Sequence, residues 1–265
     1  AQTRGLLQGS RAMVRHFINR RIVDVPDGRR ALFLAPHPDD IEIGCAGTLL
    51  KMIAAGREVR LVYLTDGSAV GTPERDAHFA EVRRLEAEAV SARLGLPAPV
   101  ILGYPERSFR DPGQRAQRAA DLGALLDDFG PDSVFLPWIT DQHPDHRYTN
   151  VLLADALRAS SHRPTVCGYE VWSFVPPGLV VDISRQLDEK IEIIRLYRSQ
   201  FEFHDYAYIV DTIGRSHAPL VPGAVACEAF CAMSAEGFLQ TEAELALDDP
   251  ADCDEVLLTP PPTLP

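Results

Sequence analysis

Apolar runs of strand length alternate with helical patterns through most of this chain of 265 residues. Strands separated by single helices pair in parallel, because each crossover helix returns the chain to the same end of the sheet. The runs are nearly continuous in apolar residues, as expected for strands that helices cover on both faces. The sequence therefore predicts an α/β fold that is Rossmann-like, with a mainly parallel sheet, helices on both faces and additional strands near the C-terminus.

Glycine and proline mark the ends of several predicted elements. Gly56, Gly95 and Gly130 each follow a helical pattern, in the position of a C-cap, and Thr72-Pro73 precedes one. No regular element is predicted for residues 202–224, which are expected to form a loop near the substrate. The predicted strands are 31–36, 59–65, 99–103, 133–138, 165–172, 179–183 and 225–233, and the predicted helices are 47–55, 74–94, 114–129, 146–160 and 185–200.

Both ends of the chain differ in charge from its centre. Residues 1–29 are predicted to form a basic helical extension, because Met13, Val14, Phe17 and Ile18 recur at helical spacing between arginines. This helix is expected to pack on its own domain, although docking on a partner or a membrane surface fits the same pattern. Residues 30–240 are predicted to form the main domain, and residues 241–265 an acidic, proline-rich flexible tail.

The composition argues against nucleic acid as a partner and against an integral membrane segment. The formal net charge of −12 disfavours nucleic acid, whose phosphates require a basic surface. No apolar run reaches the roughly 18 residues of a membrane span, so no integral membrane segment is predicted and a cytoplasmic location is expected. The 5 cysteines show no CxxC spacing and are expected to be reduced thiols. The sequence leaves the oligomeric state open.

Two polar clusters follow strands of the predicted sheet. His37, Asp39 and Asp40 come directly after the first strand, and His143, Asp145 and His146 follow the fourth. The carboxyl ends of parallel strands lie at one edge of a sheet, so the clusters are expected to converge. Each cluster alone also fits simple turn and helix-capping chemistry. Two together, at the same edge, favour a functional site.

The residue types in these clusters suit a reacting metal centre. Imidazole and carboxylate bind zinc, and a catalytic zinc takes three protein ligands and leaves one position open. The clusters hold more groups than that, and a metal hydrolase also needs a carboxylate base and an oxyanion donor. A metal-binding protein without turnover would need no such surplus. A dinucleotide-dependent oxidoreductase is a further alternative, but residues 36–47 lack the GxGxxG turn after the first strand.

The chain resembles the PIG-L (LmbE-like) family of zinc-dependent N-acetylglucosamine de-N-acetylases. PHPDDIEIGCAGT at 36–48 resembles the first motif of the family, and HPDH at 143–146 resembles the second. Weaker similarities are LTDG at 64–67, LGYPE at 102–106, YRSQF at 197–201 and CEAF at 227–230. The resemblance implies a zinc hydrolase that removes an acetyl or other acyl group from a small N-acylated amino sugar or glycoconjugate.

Carried over by position, the resemblance implies a role for each residue of the two clusters. His37, Asp40 and His146 correspond to the zinc ligands, and Asp39 corresponds to the general base. His143 corresponds to the oxyanion-stabilising group or general acid, oriented by Asp145. The chain departs from the family pattern at Ile41, where members often carry an acidic residue, and at Ala46, where a glycine is usual. These departures affect the surroundings of the site more than its chemistry.

Other residues near the predicted edge have two interpretations. Cys45 lies close enough to approach a metal, but a buried helical thiol is the simpler expectation. Asp66 either shapes the site or makes the turn before Gly67. Tyr104 and Trp138 end strands and can stack on a sugar, although core packing is favoured.

Overall fold

The computed structural model describes residues 20–68 and 72–245. Strands in this part of the chain are β1 (Arg21–Val23), β2 (Arg30–Ala35), β3 (Glu58–Thr65), β4 (Val100–Tyr104), β5 (Ser133–Pro137), β6 (Thr165–Tyr169), β7 (Leu179–Asp182) and β8 (Cys227–Ser234). Its α-helices are α1 (Asp40–Ala54), α2 (Pro73–Arg93), α3 (Arg115–Phe129), α4 (Pro144–Ala159), α5 (Leu187–Ile194), α6 (Tyr206–His217) and α7 (Ala235–Leu245). Short 3₁₀ helices occupy Glu106–Ser108, Pro112–Gln114, Arg198–Glu202 and Ala218–Leu220.

The strands form one sheet in the order β1-β7-β8-β6-β5-β2-β3-β4. Strand β8 runs antiparallel to both of its neighbours, and the other pairs are parallel. The predicted α/β fold with a mainly parallel sheet is confirmed. The predicted C-terminal strands are present, and β8 lies inside the sheet between β6 and β7 rather than at its edge.

Side chains of the central strands point alternately into two separate hydrophobic cores. Along β2, Ala31, Phe33 and Ala35 face the core that α1, α2, α5 and α6 cover, and Leu32 and Leu34 face the core under α3, α4 and α7. All of these β2 side chains are fully buried, which removes apolar area from water on both faces. The stacked rings of Phe33 and Phe135, 4.6 Å apart, join β2 to β5 within the first core.

Helix α1 begins earlier than predicted and has two parts. It starts at Asp40, not at residue 47, and Cys45 interrupts it with φ −148° and ψ 20°. The second part has a cap from a distant strand, because the Glu228 carboxylate accepts the N–H groups of Gly47 and Thr48 at 2.9 and 2.6 Å. A Cβ atom at Gly47 would lie 3.0 Å from Glu228 Oε1, so the glycine permits this approach. The predicted start at residue 47 thus lies close to the point where the helix resumes.

Two further predictions on the second half of the chain are wrong. The helix predicted at 185–200 ends at Ile194, because the chain turns to bury Tyr197 completely against Tyr63 and Glu42. The loop predicted at 202–224 contains α6, which begins behind Asp205, whose side chain accepts the Tyr208 N–H.

The predicted chain ends are only partly within the described residues. The helix expected around Met13 and Ile18 lies outside them, and residues 21–23 of the predicted helical extension form β1. Helix α7 continues to Leu245 and so extends into the predicted tail, the rest of which lies outside the described residues. Among the residues that the structure describes, no helix has the length and apolar character needed to cross a bilayer. Cys45, Cys167, Cys227 and Cys231 are buried free thiols, as expected.

A buried ion pair supports the cap of α1. Lys190 Nζ donates to Glu228 Oε1 at 2.7 Å, and both side chains are almost fully buried. A buried carboxylate that lost its cation would carry an uncompensated charge, which is strongly destabilising.

We expect Lys190→Met to lower the free energy of unfolding by about 3–5 kcal/mol, measured by urea denaturation. The double variant Lys190→Met/Glu228→Gln should be less destabilised than the single one, because no unpaired charge remains. Arg195→Met, which breaks an exposed ion pair with Glu192, is the control and should cost less than about 1 kcal/mol. A loss at Lys190 no larger than at Arg195 would contradict the role of the buried pair.

Glu42, in the first turn of α1, belongs to a buried polar cluster. Its carboxylate oxygens accept the hydroxyls of Tyr63 and Tyr197 at 2.9 and 3.2 Å, and all three residues are fully buried. Burial raises the pKa of Glu42 from its ordinary value of 4.5 to about 7. Between these values the folded state binds more protons than the unfolded state, so the contribution of Glu42 to stability falls as pH rises.

Glu42→Gln removes this titration while keeping an oxygen that accepts a hydroxyl. Its free energy of unfolding, relative to the unmodified chain, should therefore rise by up to about 3 kcal/mol between pH 4.5 and pH 8. Denaturant titrations of both proteins across this range measure the difference, and a difference independent of pH would count against the raised pKa.

Candidate active site

Both predicted clusters lie at the carboxyl ends of neighbouring strands. The segment with His37, Asp39 and Asp40 joins β2 to α1, and the segment with His143 joins β5 to α4. Strands β2 and β5 pair in parallel, so the two segments leave the sheet side by side. The expected convergence is observed, since the rings of His37 and His143 are 4.8 Å apart and those of His37 and His146 are 5.7 Å apart.

Asp40 connects the two clusters directly. Its Oδ2 lies 3.1 Å from His37 Nδ1 and accepts the His37 backbone N–H at 3.0 Å. Its Oδ1 lies 3.2 Å from His146 Nε2. One carboxylate thus faces an imidazole from each strand end, and all three side chains are buried.

The nitrogens of His146 are orphaned polar atoms. His146 is completely buried, and neither ring nitrogen makes a hydrogen bond within the described residues, although Asp40 Oδ1 and Asp141 Oδ1 lie 3.2 and 3.1 Å away. Buried polar groups normally have a partner, and a metal ion satisfies an imidazole lone pair as well as a donor does. The donor set fits a divalent metal.

Two overlapping groups of side chains bring their ligand atoms within 4.8 Å of one another. One consists of His37, His143 and His146, and the other of His37, Glu106 and Asp145. Asp40 adds its oxygens between His37 and His146. These groups contain the predicted ligands His37 and His146, and they add His143, Glu106 and Asp145 as further candidates.

Asp39 and Asp40 are adjacent in sequence but face different partners. Asp39 has φ 126°, the only positive φ outside glycine in the described residues. Asp39 Oδ1 lies 3.2 Å from Arg83 Nη2, and Arg83 also donates to the Pro38 carbonyl. The Asp39 side chain makes no capping hydrogen bond to α1, so the simple interpretation as a helix cap fails. Such strained conformations cost about 1–3 kcal/mol and are concentrated at functional sites.

His143 is fixed by the backbone of Asp145 rather than by its carboxylate. The Asp145 N–H donates to His143 Nδ1 at 3.2 Å, as a cap of α4. The Asp145 carboxylate instead lies 3.1 Å from His37 Nε2 and 3.2 Å from Arg110 Nε. Asp145 thus contacts His143 through its main chain, while its carboxylate faces His37 and Arg110. Because Nδ1 accepts, the proton of a neutral His143 lies on Nε2.

The carboxylates dominate the electrostatics of the pocket. Burial lowers the pKa of His37 and His146, but the neighbouring carboxylates outweigh burial, so the pKa of His37 lies well above its usual range and that of His146 is about 9. Burial, with His37 and His146 nearby, lowers the pKa of His143 to about 3. Burial also raises the pKa of Asp39 to about 7, although Arg83 opposes it. The pocket thus favours a cation beside His37 and His146 and keeps His143 neutral.

Four residues that the sequence did not single out also line this site. Asp141 contacts His146 and accepts the His143 N–H at 2.9 Å, and its place just before HPDH was an available signal. Glu106 Oε1 lies 3.8 Å from His37 Nε2 and belongs to the LGYPE similarity. Arg83 and Arg110 come from α2 and from a loop, and no local pattern indicates them.

The remaining sequence candidates make structural contacts. Cys45 is buried and its thiol donates to the Ile41 carbonyl at 3.2 Å. Asp66 accepts the Ser68 N–H at 3.1 Å, which is turn chemistry. Trp138 is buried in the second core, and the Tyr104 hydroxyl donates to Asp121 at 2.8 Å. Core packing is therefore the role of Trp138, and Tyr104 packs against the same core.

Comparison with known proteins agrees with this arrangement. Residues 32–157, which include both clusters, match the family described as PIG-L: GlcNAc-PI de-N-acetylase. The diacetylchitobiose deacetylase of Thermococcus kodakarensis is 30% identical over 194 residues, covering 66% of this chain and 71% of that protein. A 1D-myo-inositol 2-acetamido-2-deoxy-alpha-D-glucopyranoside deacetylase of Mycobacterium sp. is 29% identical over 189 residues, covering 61% of this chain and 60% of that protein.

A solved structure extends the similarity to three dimensions. The N,N'-diacetylchitobiose deacetylase of Pyrococcus horikoshii superposes with a TM-score of 0.67 and 28% identity, covering 79% of this chain and 85% of that one. The sequence similarity, the shared fold and the two converging motifs establish that this chain belongs to the PIG-L family.

Proposed function

We propose that the protein is a zinc-dependent hydrolase that removes an acetyl or other acyl group from the nitrogen of an N-acetylglucosamine-type amino sugar or glycoconjugate. The observation that carries this proposal is that two adjacent carboxylates have different partners. Asp40 contacts His37 and His146, whereas Asp39 forms an ion pair with Arg83. A site that only binds metal has no need for the strained second carboxylate. The two relatives are named as deacetylases of diacetylchitobiose and of 1D-myo-inositol 2-acetamido-2-deoxy-alpha-D-glucopyranoside, both N-acetylated amino sugars, which supports the substrate class.

His37, Asp40 and His146 would hold the zinc ion. When bound, zinc polarises an amide carbonyl and lowers the pKa of water to about 7. His143 is the alternative ligand, since its nitrogen belongs to the same group as those of His37 and His146. We favour Asp40 over His143 because Asp40 already contacts both other ligands and His143 is fixed through Nδ1 to the backbone.

Asp39 performs the proton transfers of the reaction. It accepts a proton from the attacking water and delivers it to the leaving nitrogen, because the amide bond breaks only when that nitrogen is protonated. The products are a carboxylic acid and a primary amine. Arg83 holds the Asp39 carboxylate in place through its ion pair, and its second contact with Pro38 fixes the guanidinium in turn.

His143 stabilises the negative charge that develops on the carbonyl oxygen. Its Nδ1 accepts the Asp145 N–H, so the Nε2 proton of the neutral ring is available as the donor. A neutral donor suits the oxyanion role better than that of general acid. Removing one such donor from other hydrolases costs about 10²- to 10³-fold in kcat.

The ligand set is tested by zinc content. His37→Ala and His146→Ala should each lower bound zinc below about 0.2 equivalents per chain, because two protein ligands hold zinc poorly. His143→Ala should keep about one equivalent while kcat falls about 10²- to 10³-fold. Elemental analysis and amine release are measured on the same preparations. Loss of zinc from His143→Ala would assign the metal to the three histidines instead.

The role of Asp39 is tested by Asp39→Asn. We expect this variant to retain its zinc and to release amine from an N-acetylated amino sugar about 10²- to 10⁴-fold more slowly, because a positioned proton-transfer group is lost. Asp66→Asn is the matched control, since it lies at the same sheet edge and keeps its turn hydrogen bond, and its rate should be unchanged. If Asp39→Asn loses zinc, Asp39 is a ligand and not the base. If the unmodified protein binds zinc but hydrolyses no N-acyl amino sugar, the protein only binds metal or acts on another scaffold.

A further inference from the structure

The loop between β4 and α3, residues 105–114, supplies two charged side chains to the candidate active site. Glu106 Oε1 lies 3.8 Å from His37 Nε2, and Arg110 Nε lies 3.2 Å from Asp145 Oδ1. Apart from two short 3₁₀ helices, the loop contains no regular element. Residues on such a loop are held less accurately than residues at strand ends, so the positions of Glu106 and Arg110 depend on what anchors the loop.

Arg118, in the first turn of α3, contacts this loop in its middle and at both ends. Its guanidinium carbon lies 4.9 Å from the centre of the Tyr104 ring, at the end of β4, and 5.8 Å from that of the Phe109 ring. Its Nη1 donates to the Phe109 carbonyl, and its Nη2 donates to Gln114 Oε1 at 3.2 Å. One side chain thus ties three points of the loop and its flanks to α3.

Phe109 is the point where the loop enters the second core. Its side chain is fully buried, and its ring meets that of Tyr148 edge to face at 5.1 Å. Tyr148 lies in α4, two residues after His146. Phe109 itself lies between Glu106 and Arg110 in sequence. Fixing Phe109 therefore fixes these two charged residues relative to the helix that carries His146.

The burial of Arg118 is unfavourable for the stability of the core. Arg118 is 1% exposed, and within the described residues it makes no ion pair and its Nε has no hydrogen-bond partner. Lys190, by contrast, is buried with the Glu228 carboxylate beside it. A carbonyl, an amide oxygen and two ring faces offset the cost of burying a charge only in part. Replacing buried charges by apolar side chains is often neutral or stabilising, so core stability does not explain Arg118, whereas its contacts with the loop do.

We propose that Arg118 is a positioning residue that anchors the loop 105–114 and thereby holds Glu106 beside His37 and Arg110 beside Asp145. It acts through these two side chains and takes no part in the hydrolysis itself. A displacement of about 1 Å at a reaction centre can lower the rate about 10²-fold, so a loosened loop should slow the reaction. This kinetic consequence rests on the proposed function, whereas the anchoring of the loop does not.

The first test measures the mobility of the loop without turnover. In Arg118→Met, with zinc present, we expect the backbone amides of residues 106–111 to exchange with deuterium at least about 10-fold faster, because the Phe109 carbonyl loses its donor. The amides of β2 and β5 should keep their exchange rates. Arg118→Lys keeps the charge without the planar guanidinium and should show a smaller change of the same kind, which provides a second variant if Arg118→Met folds poorly.

Arg60→Met is the matched control for this test. The Arg60 guanidinium makes the same kind of contact, 4.5 Å from the centre of the Phe129 ring at the other end of α3, and its loss should leave exchange in the loop 105–114 unchanged. Unchanged exchange in the loop of both Arg118 variants would overturn the proposal. Exchange that rises equally in the loop, β2 and β5 would also overturn it and make Arg118 a general support of the core.

The second test asks whether Arg118 acts through Glu106 and Arg110. We expect Arg118→Met to bind about one zinc per chain and to release amine from an N-acetylated amino sugar with kcat/KM lowered about 10- to 100-fold. In the double variant Glu106→Gln/Arg110→Met, adding Arg118→Met should lower kcat/KM by less than about threefold further, because the groups that it positions are already altered. A loss as large as in the unmodified chain would overturn the proposal.

The two tests separate this proposal from the proposed function. Faster exchange in the loop of Arg118→Met, with no hydrolysis of any N-acyl amino sugar by the unmodified protein, would overturn the proposed function and leave the anchoring supported. Hydrolysis by the unmodified protein, with unaltered exchange in the loop of both Arg118 variants, would overturn the anchoring and leave the function supported. Absence of both effects would overturn both.

Discussion

The Asp40 carboxylate is the contact on which the arrangement of the site depends. It joins imidazoles that come from the ends of two different strands, and it does so at the first residue of α1. Its position requires that α1 begin immediately after the turn at Asp39, and that turn requires a backbone conformation that non-glycine residues avoid. The strain at Asp39 and the bridging by Asp40 are therefore two aspects of the same turn, which gives two adjacent carboxylates different partners.

The sheet explains why such a turn can be maintained. Strands β2 and β5 are central, their side chains are buried on both faces, and their carboxyl ends are paired in register with β3 and β6. Groups on these ends are held more accurately than groups on free loops, which is what a reaction centre requires. Arg83 and Asp141 then complete the support from α2 and from the loop after β5.

The sequence was sufficient to predict the parallel sheet, most strand positions and the convergence of the two clusters, because these follow from local periodicity and strand order. It was insufficient where tertiary contacts decide the outcome. The second part of α1 begins near Gly47 because Glu228 caps it, and Glu228 lies nearly the whole length of the domain away in sequence. Arg83 contacts Asp39 from α2, and no sequence motif marks Arg83. Helix α6 was missed although its signals are local, with Asp205 as the cap and apolar residues at helical spacing after it.

The position of β8 has a consequence for how the molecule is assembled during synthesis. Strands β1 and β7 connect to the rest of the sheet only through β8, and β8 is the last strand of the described chain. Strand β1, the first of the described strands to be made, therefore cannot join the rest of the sheet until β8 has left the ribosome. Glu228 on the same strand caps the second part of α1, so the helix that carries Asp40 is completed at that late stage as well. A nascent chain that stops short of β8 would thus hold both motifs and lack the support that shapes the site.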